Sequence, residues 1–240
     1  MKSNRRRYLL VMPIAALLGG GALLAADPPA GMELKTGVVV EEVKRSDDLI
    51  IVTLRHVAFR RPAMSELTFK DYATDQEVRW CPGCGDYAIL KAVQRTLPQL
   101  GADPKNTVFI SGIGCSGRFP GFVNAYGFHG VHGRALALAG GLKAARPDLT
   151  VLVAGGDGDG LSIGGNHFIH TARKNIDITV ICINNFIYAM TGGQLAPTTL
   201  PGQRTSSSPL GRDVEFTGYP IHMSEMLAGL AGSAYIVRRS

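Results

Sequence analysis

An α/β fold, with a mainly parallel sheet covered by helices on both faces, is the architecture this 240-residue sequence predicts. Three observations predict it. Residues 149–154 (LTVLVA) and 177–183 (DITVICI) are short apolar runs rich in β-branched residues, the pattern of strands buried on both sides. The stretch 161–174 between them reads as a helix, and strand, helix, strand at this length is a βαβ unit with parallel strands. Hydrophobic residues make up 45% of the chain, enough for one domain with a sizeable core.

The elements follow in order. Residues 1–7 carry Lys2, Arg5, Arg6 and Arg7, and residues 8–26 are almost wholly apolar, which reads as a secretory signal or a membrane anchor. Residues 38–52 form two short strands around a polar turn at 44–48. Residues 86–100 are a helix, 107–111 a strand and 134–145 a helix; the βαβ unit follows, with Ile163, His167, Ile169 and Ala172 available for packing. Residues 200–213, rich in Pro, Ser and Gly, are a loop. Residues 225–231 are a helix and 234–237 a short strand.

Charge is unevenly placed. Residues 1–63 hold 10 Lys/Arg against 6 Asp/Glu, and residues 64–240 hold 15 against 13. The basic excess therefore belongs mostly to the N-terminal stretch and does not describe a nucleic-acid face. With four cysteines in 240 residues, the chain has no disulfide framework either.

Both strands of the βαβ unit end in chemistry. Gly156-Asp157-Gly158-Asp159-Gly160 follows the first, and Ile183-Asn184-Asn185-Phe186-Ile187 ends the second, with Asn185 28 residues after Asp157. Open α/β sheets bind ligands at the carboxyl ends of their strands, and glycines there let backbone N–H groups approach closely. Asp157 offers a carboxylate oxygen, Asn185 an amide oxygen and Ile187 a backbone carbonyl. Oxygen ligands with few charges suit Mg²⁺, which completes its shell with water and phosphate. An EF-hand is excluded because Phe168 stands where Glu is required, and the glycines do not fit G-x-G-x-x-G because Leu161 and Ile163 fall at its last Gly. A nucleoside triphosphate loop, G-x-x-x-x-G-K-[ST], is absent from the sequence.

Cys81-x-x-Cys84 and Cys115 offer three thiolates, whereas Cys182 lies inside an apolar strand and reads as core. Taken alone, Trp80-Cys81-Pro82-Gly83-Cys84 also fits a thioredoxin-like dithiol, or a zinc site completed by a histidine.

G-D-G followed by N-N resembles the thiamine diphosphate signature. More specific are Trp80-Cys81-Pro82-Gly83-Cys84-Gly85-Asp86-Tyr87, Gly112-Ile113-Gly114-Cys115-Ser116-Gly117-Arg118, His132-Gly133-Arg134-Ala135 and Gly193-Gln194-x-x-Pro197-Thr198-Thr199. Together they resemble the β subunit of two-subunit 2-oxoacid:ferredoxin oxidoreductases over about residues 64–240. The resemblance implies a thiamine diphosphate-binding fold, with Gly114, Cys115, Ser116, His132, Gly156, Asp157, Gly158, Asp159, Asn185 and Ile187 at the cofactor. Asp157, Asn185 and Ile187 would hold Mg²⁺, and Cys81, Cys84 and Cys115 a [4Fe–4S] cluster. The family's fourth cysteine falls beyond Ser240 and Cys182 does not match it, so the resemblance implies a C-terminally truncated domain lacking that ligand. Arg118 is expected to meet the substrate carboxylate or coenzyme A; His129, His167 and His170 are expected to be structural.

The implied reaction is oxidative decarboxylation of a 2-oxoacid, with 2-oxoglutarate favoured over pyruvate, to an acyl-CoA with reduction of ferredoxin. In the family an α subunit supplies the glutamate that activates the cofactor, so no catalytic base is expected in this chain and the isolated chain is expected to be inactive. Family members commonly begin as Met64-Ser-Glu-Leu-Thr-Phe does, so residues 1–63 are expected to be an extension, from an upstream start or a fusion. The chemistry implies the cytoplasm, with membrane attachment only if segment 8–26 acts as an anchor. Two other classes share part of the pattern: a thiamine diphosphate-dependent decarboxylase or synthase without a cluster, and a non-enzymatic iron–sulfur or dithiol carrier.

Overall fold

The computed structural model describes residues 67–230 in full, together with four strands outside that span, Leu9–Pro13, Val38–Ser46, Leu49–His56 and Ile236–Arg238. In chain order the strands are β1 (Leu9–Pro13), β2 (Val38–Ser46), β3 (Leu49–His56), β4 (Thr107–Ser111), β5 (Tyr126–His129), β6 (Thr150–Gly156), β7 (Thr179–Asn184), β8 (Ile187–Tyr188), β9 (Gln194–Leu195) and β10 (Ile236–Arg238). The helices are α1 (Asp86–Gln99), α2 (Phe119–Phe122), α3 (Ala135–Ala145), α4 (Gly165–Arg173), α5 (Val214–Thr217) and α6 (Met223–Ala228).

Six strands form one sheet in the order β10-β1-β7-β6-β4-β5, and every neighbouring pair is parallel. The α/β class with a parallel sheet is thus observed. Alternation along the strands divides the side chains between two cores. Val108, Ile110, Val151, Val153, Val180 and Cys182 face α3, α4 and α6. Phe109, Leu152, Ala154, Ile181 and Ile183 face α1, α2 and Tyr72. Both faces are apolar because both are covered, which is why residues 149–154 and 177–183 carry no polar alternation.

Part of the apolar run 8–26 is β1, which pairs with β7 and β10; the rest of that run, and the boundary at residues 63 and 64, lie outside the described residues. β2 and β3 form the antiparallel hairpin expected around the polar turn. Among the described residues no helix is long and apolar enough to cross a membrane.

The helix expected over 161–174 is two pieces. A π-helical turn, Gly158–Ile163, leads through Gly164 into α4. The wider turn shifts the phase of the inward face. Leu161 and Phe168 are buried, while Ile163, expected to pack, is 53% exposed. A Cβ on Gly164 would stand 2.6 Å from the Asp159 carbonyl and 3.1 Å from the Gly133 Cα, so the turn closes only over glycine. β5 has no apolar run behind it: all four residues are exposed at the sheet edge.

Candidate cofactor site at the carboxyl ends of the strands

Four strands deliver the site. The loops after β4, β5, β6 and β7 leave the same edge of the sheet, as the parallel order requires.

Asp157 caps the π-helical turn and is 1% exposed. Its Oδ1 accepts from the backbone N–H of Asn185 at 3.4 Å, and its Oδ2 accepts from the Thr198 hydroxyl. Among the described residues no Lys or Arg pairs with it. Burial pushes its carboxyl above the ordinary carboxylate range, against the pull of the Thr198 and Asn185 hydrogen bonds. The structure therefore brings Asp157 and Asn185 together across adjacent strand ends, as the spacing predicts.

The Asn-Asn loop is tightly folded. Asn184 Oδ1 accepts from Phe186 N at 3.0 Å and Asn185 Oδ1 from Ile187 N at 3.1 Å, two successive Asx turns. Between them Phe186 takes φ 65°, a left-handed conformation unusual for a bulky residue. Thr199 Oγ1 steadies it by donating to the Phe186 carbonyl at 2.5 Å. Thr198 Oγ1 also lies 3.1 Å from Asn184 Oδ1, so two adjacent threonines brace this loop.

Asp159 behaves differently from Asp157. One oxygen, Oδ1, accepts from Ile113 N at 2.9 Å, Gly133 N at 2.8 Å and His132 Nδ1 at 2.7 Å. It joins the loops after β4, β5 and β6 by taking hydrogen bonds from the chain itself. With Nδ1 of His132 donating, its Nε2 remains for another partner. The His132 ring stands 6.5 Å from that of Tyr188, which packs on Gly158, where a Cβ would meet it at 2.5 Å. Gly112 likewise must lack a side chain, since its Cβ would fall 2.0 Å from Asp159 Oδ2. Gly114, at φ 107°, and Cys115 and Ser116 continue the loop after β4.

The three site cysteines lie on adjoining loops. Trp80 Nε1 donates to the Cys115 carbonyl at 2.8 Å, and the Trp80 ring is seated among Tyr87, Phe119 and Phe122. Burial, and then the Asp86 charge, pushes the Cys115 thiol up; burial chiefly raises Cys84 as well. Asp86, buried beside them, is pushed up to about 6 by burial. Among the described residues no three His, Cys, Asp or Glu side chains are gathered closely enough to hold a metal ion. The loops meet, and the thiols are not drawn into one cage. Cys182 sits in the core, its thiol pushed far up by burial.

Arg118, expected at a substrate carboxylate or coenzyme A, donates from Nη1 to the Arg79 carbonyl at 2.8 Å and lies over the Phe122 ring. His129 Nδ1 stands 2.7 Å from the Gly117 carbonyl, a bond within the frame of the loop. Sequence reasoning quotes Asn184, Thr198 and Thr199 within motifs but gives them no role in the site. Their signals are the Asn-Asn pair at the strand end and the pair of threonines after Pro197.

A family model described as thiamine pyrophosphate enzyme, C-terminal TPP binding domain, matches residues 112–240. The 2-oxoglutarate oxidoreductase subunit KorB of Mycobacterium tuberculosis is 58% identical over 142 residues, which cover 59% of this chain and 38% of that protein. Subunit beta of 2-oxoacid:ferredoxin oxidoreductase 2 of Aeropyrum pernix is 51% identical over 128 residues, covering 53% of this chain and 41% of its own length. This chain thus spans about two fifths of these curated relatives. A solved structure of 2-oxoglutarate:ferredoxin oxidoreductase from Magnetococcus marinus, with 2-oxoglutarate, coenzyme A and succinyl-CoA bound, aligns with TM-score 0.67 and 38% identity over 74% of this chain and 68% of that one.

Proposed function

Because this chain belongs to the thiamine pyrophosphate enzymes, and within them to the β subunits of 2-oxoacid:ferredoxin oxidoreductases, we propose that its sheet edge binds Mg²⁺-thiamine diphosphate for oxidative decarboxylation of a 2-oxoacid to an acyl-CoA. Asp157 carries the reading. A carboxylate 1% exposed, with no cationic side chain beside it among the described residues, is suited to a divalent cation. The donor set fits: Asp157, the Asn185 side-chain oxygen and the Ile187 carbonyl would hold Mg²⁺, all oxygens and one charge.

The remaining residues position and orient. Gly156 and the Gly114-Cys115-Ser116 loop offer close backbone approach to a diphosphate, while Gly158 makes room for the Tyr188 ring. His132, with Nδ1 fixed by Asp159, has Nε2 free to meet the cofactor, and Asp159 serves from behind rather than by direct contact. Thiamine diphosphate, when bound, supplies the carbanion chemistry that decarboxylation requires. Cys81, Cys84 and Cys115 would supply three of the four thiolates that a [4Fe–4S] cluster takes once their side chains turn toward one another, on loops already tied by Trp80. The relatives' names support 2-oxoglutarate as substrate and ferredoxin as acceptor, and their designation as subunits supports a partner chain, which we take to be an α subunit in the cytoplasm.

Two measurements test this. Calorimetric titration with thiamine diphosphate and Mg²⁺ should give binding that Asp157→Ala abolishes; binding that survives the substitution sinks the site. Anaerobic co-purification with an α subunit, using a chain extended to include the family's fourth cysteine, should give a brown complex that reduces ferredoxin with 2-oxoglutarate and coenzyme A faster than with pyruvate. A colourless complex, or equal rates, would refute the cluster or the substrate respectively.

A further inference from the structure

Arg212 is a buried cation, 6% exposed, and among the described residues no carboxylate faces it. Every hydrogen bond of its guanidinium goes to a backbone carbonyl. Nη1 meets Ala196 and Pro197 at 3.2 Å each and Thr199 at 2.8 Å; Nε meets Gly218 at 2.9 Å and Nη2 meets Thr217 at 3.4 Å. Its backbone is fixed too, donating to Gln203 O and accepting from Gly202 N, both at 3.0 Å. A planar guanidinium can hold several carbonyls of one turn at once, which an ammonium cannot.

Three of those carbonyls belong to the turn 196–199, and they flank Thr198. From the opposite side of the turn the Thr198 hydroxyl donates to Asp157 and lies 3.1 Å from Asn184 Oδ1, while Thr199 Oγ1 holds the Phe186 carbonyl. The turn is thus gripped from behind and presents two hydroxyls to the loops after β6 and β7. We propose that Arg212 is a positioning residue for the cation site: it fixes the turn 196–199 so that Thr198 holds the Asp157 carboxylate in the orientation that binds Mg²⁺. The inference rests on the reading of Asp157 as a Mg²⁺ ligand.

The test is a double-mutant cycle read as Mg²⁺ dissociation constants, measured by calorimetry at saturating thiamine diphosphate. Thr198→Val and Arg212→Met should each weaken Mg²⁺ binding about tenfold, the scale of losing a group that orients a metal ligand. The double variant should be no weaker than about the poorer single one, because both act through one hydroxyl. Arg212→Lys, which keeps the charge and loses the fork, should fall between, and it carries the test if Arg212→Met does not fold. A merely structural arginine would lower the melting temperature and leave the Mg²⁺ constant within about twofold of wild type, or its loss would multiply with that of Thr198→Val; either result overturns the proposal. Asp157→Ala separates the premise from the inference. Unchanged Mg²⁺ binding there overturns both, whereas its loss beside an unaffected Arg212→Lys and Arg212→Met overturns the inference alone.

Discussion

The Nδ1 atom of His132 stands 2.7 Å from Oδ1 of Asp159, and the same oxygen receives the backbone amides of Ile113 and Gly133. Removing that carboxylate leaves three donors without their acceptor, two of them backbone. Asp159→Ala should therefore destabilise the chain by about 3 kcal/mol or more, at roughly 1 kcal/mol or more for each donor left unpaired. Asp159→Asn keeps an accepting oxygen and should cost markedly less. Urea midpoints of the two variants decide; equal losses would mean that the hydrogen bonds are not what Asp159 supplies.

Gly112→Ala should fail for a steric reason. Its Cβ would fall 2.0 Å from Asp159 Oδ2 and 2.5 Å from Asp159 Cγ, and the carboxylate is held by three bonds and cannot step aside. A loss of about 2 kcal/mol is expected. Gly121→Ala, where a Cβ meets nothing within 4 Å, is the control and should change stability by no more than about 0.5 kcal/mol.

Tyr72 gives the chain an alkaline limit. Its ring is fully buried and its hydroxyl donates to the Ala102 carbonyl, and burial pushes its phenol up to about 12 from an ordinary 10.0. An acid with a raised folded pKa gives stability that is complete below the unfolded pKa and is lost as pH rises through the folded one. Unfolding midpoints should fall between pH about 10 and about 12. Tyr72→Phe should flatten the slope in that window and lower stability at neutral pH by about 1 kcal/mol, from the lost hydrogen bond.

Thiol reactivity should sort the cysteines by place. In metal-free protein, iodoacetamide followed by mass spectrometry should modify exposed Cys81 first, and Cys84 and Cys115 more slowly because burial raises their thiols. Cys182 should react only after denaturant. Labelling of Cys182 in the native chain at the rate of Cys81 would remove it from the core.

Much of this was legible in the residues, for identifiable reasons. β4 was readable at its observed limits, and β6 and β7 to within a few residues, because strands buried on both faces write continuous apolar runs. The meeting of Asp157 with Asn185 follows from that, since parallel order puts both loops at one edge. The edge strand β5 left no such run, as its residues face solvent. The phase of the helix expected over 161–174 fails at Ile163 because a π-helical turn breaks the 3.6-residue period. Asp159 was expected at the cofactor; which way its side chain leaves that turn is a matter of backbone geometry that no spacing encodes. Thr198 and Arg212 act across 41 and 16 residues of chain, through bonds that local pattern does not record.

The alternation of β4, β6 and β7 between two packed layers has a consequence for the edge that carries Asp157 and Asn185. The floor beneath those strand ends is packed from above and below, so it offers fixed geometry and little give. Substitutions in the loops around that floor then reshape the walls of the site without disturbing the sheet that sets Asp157 beside Asn185.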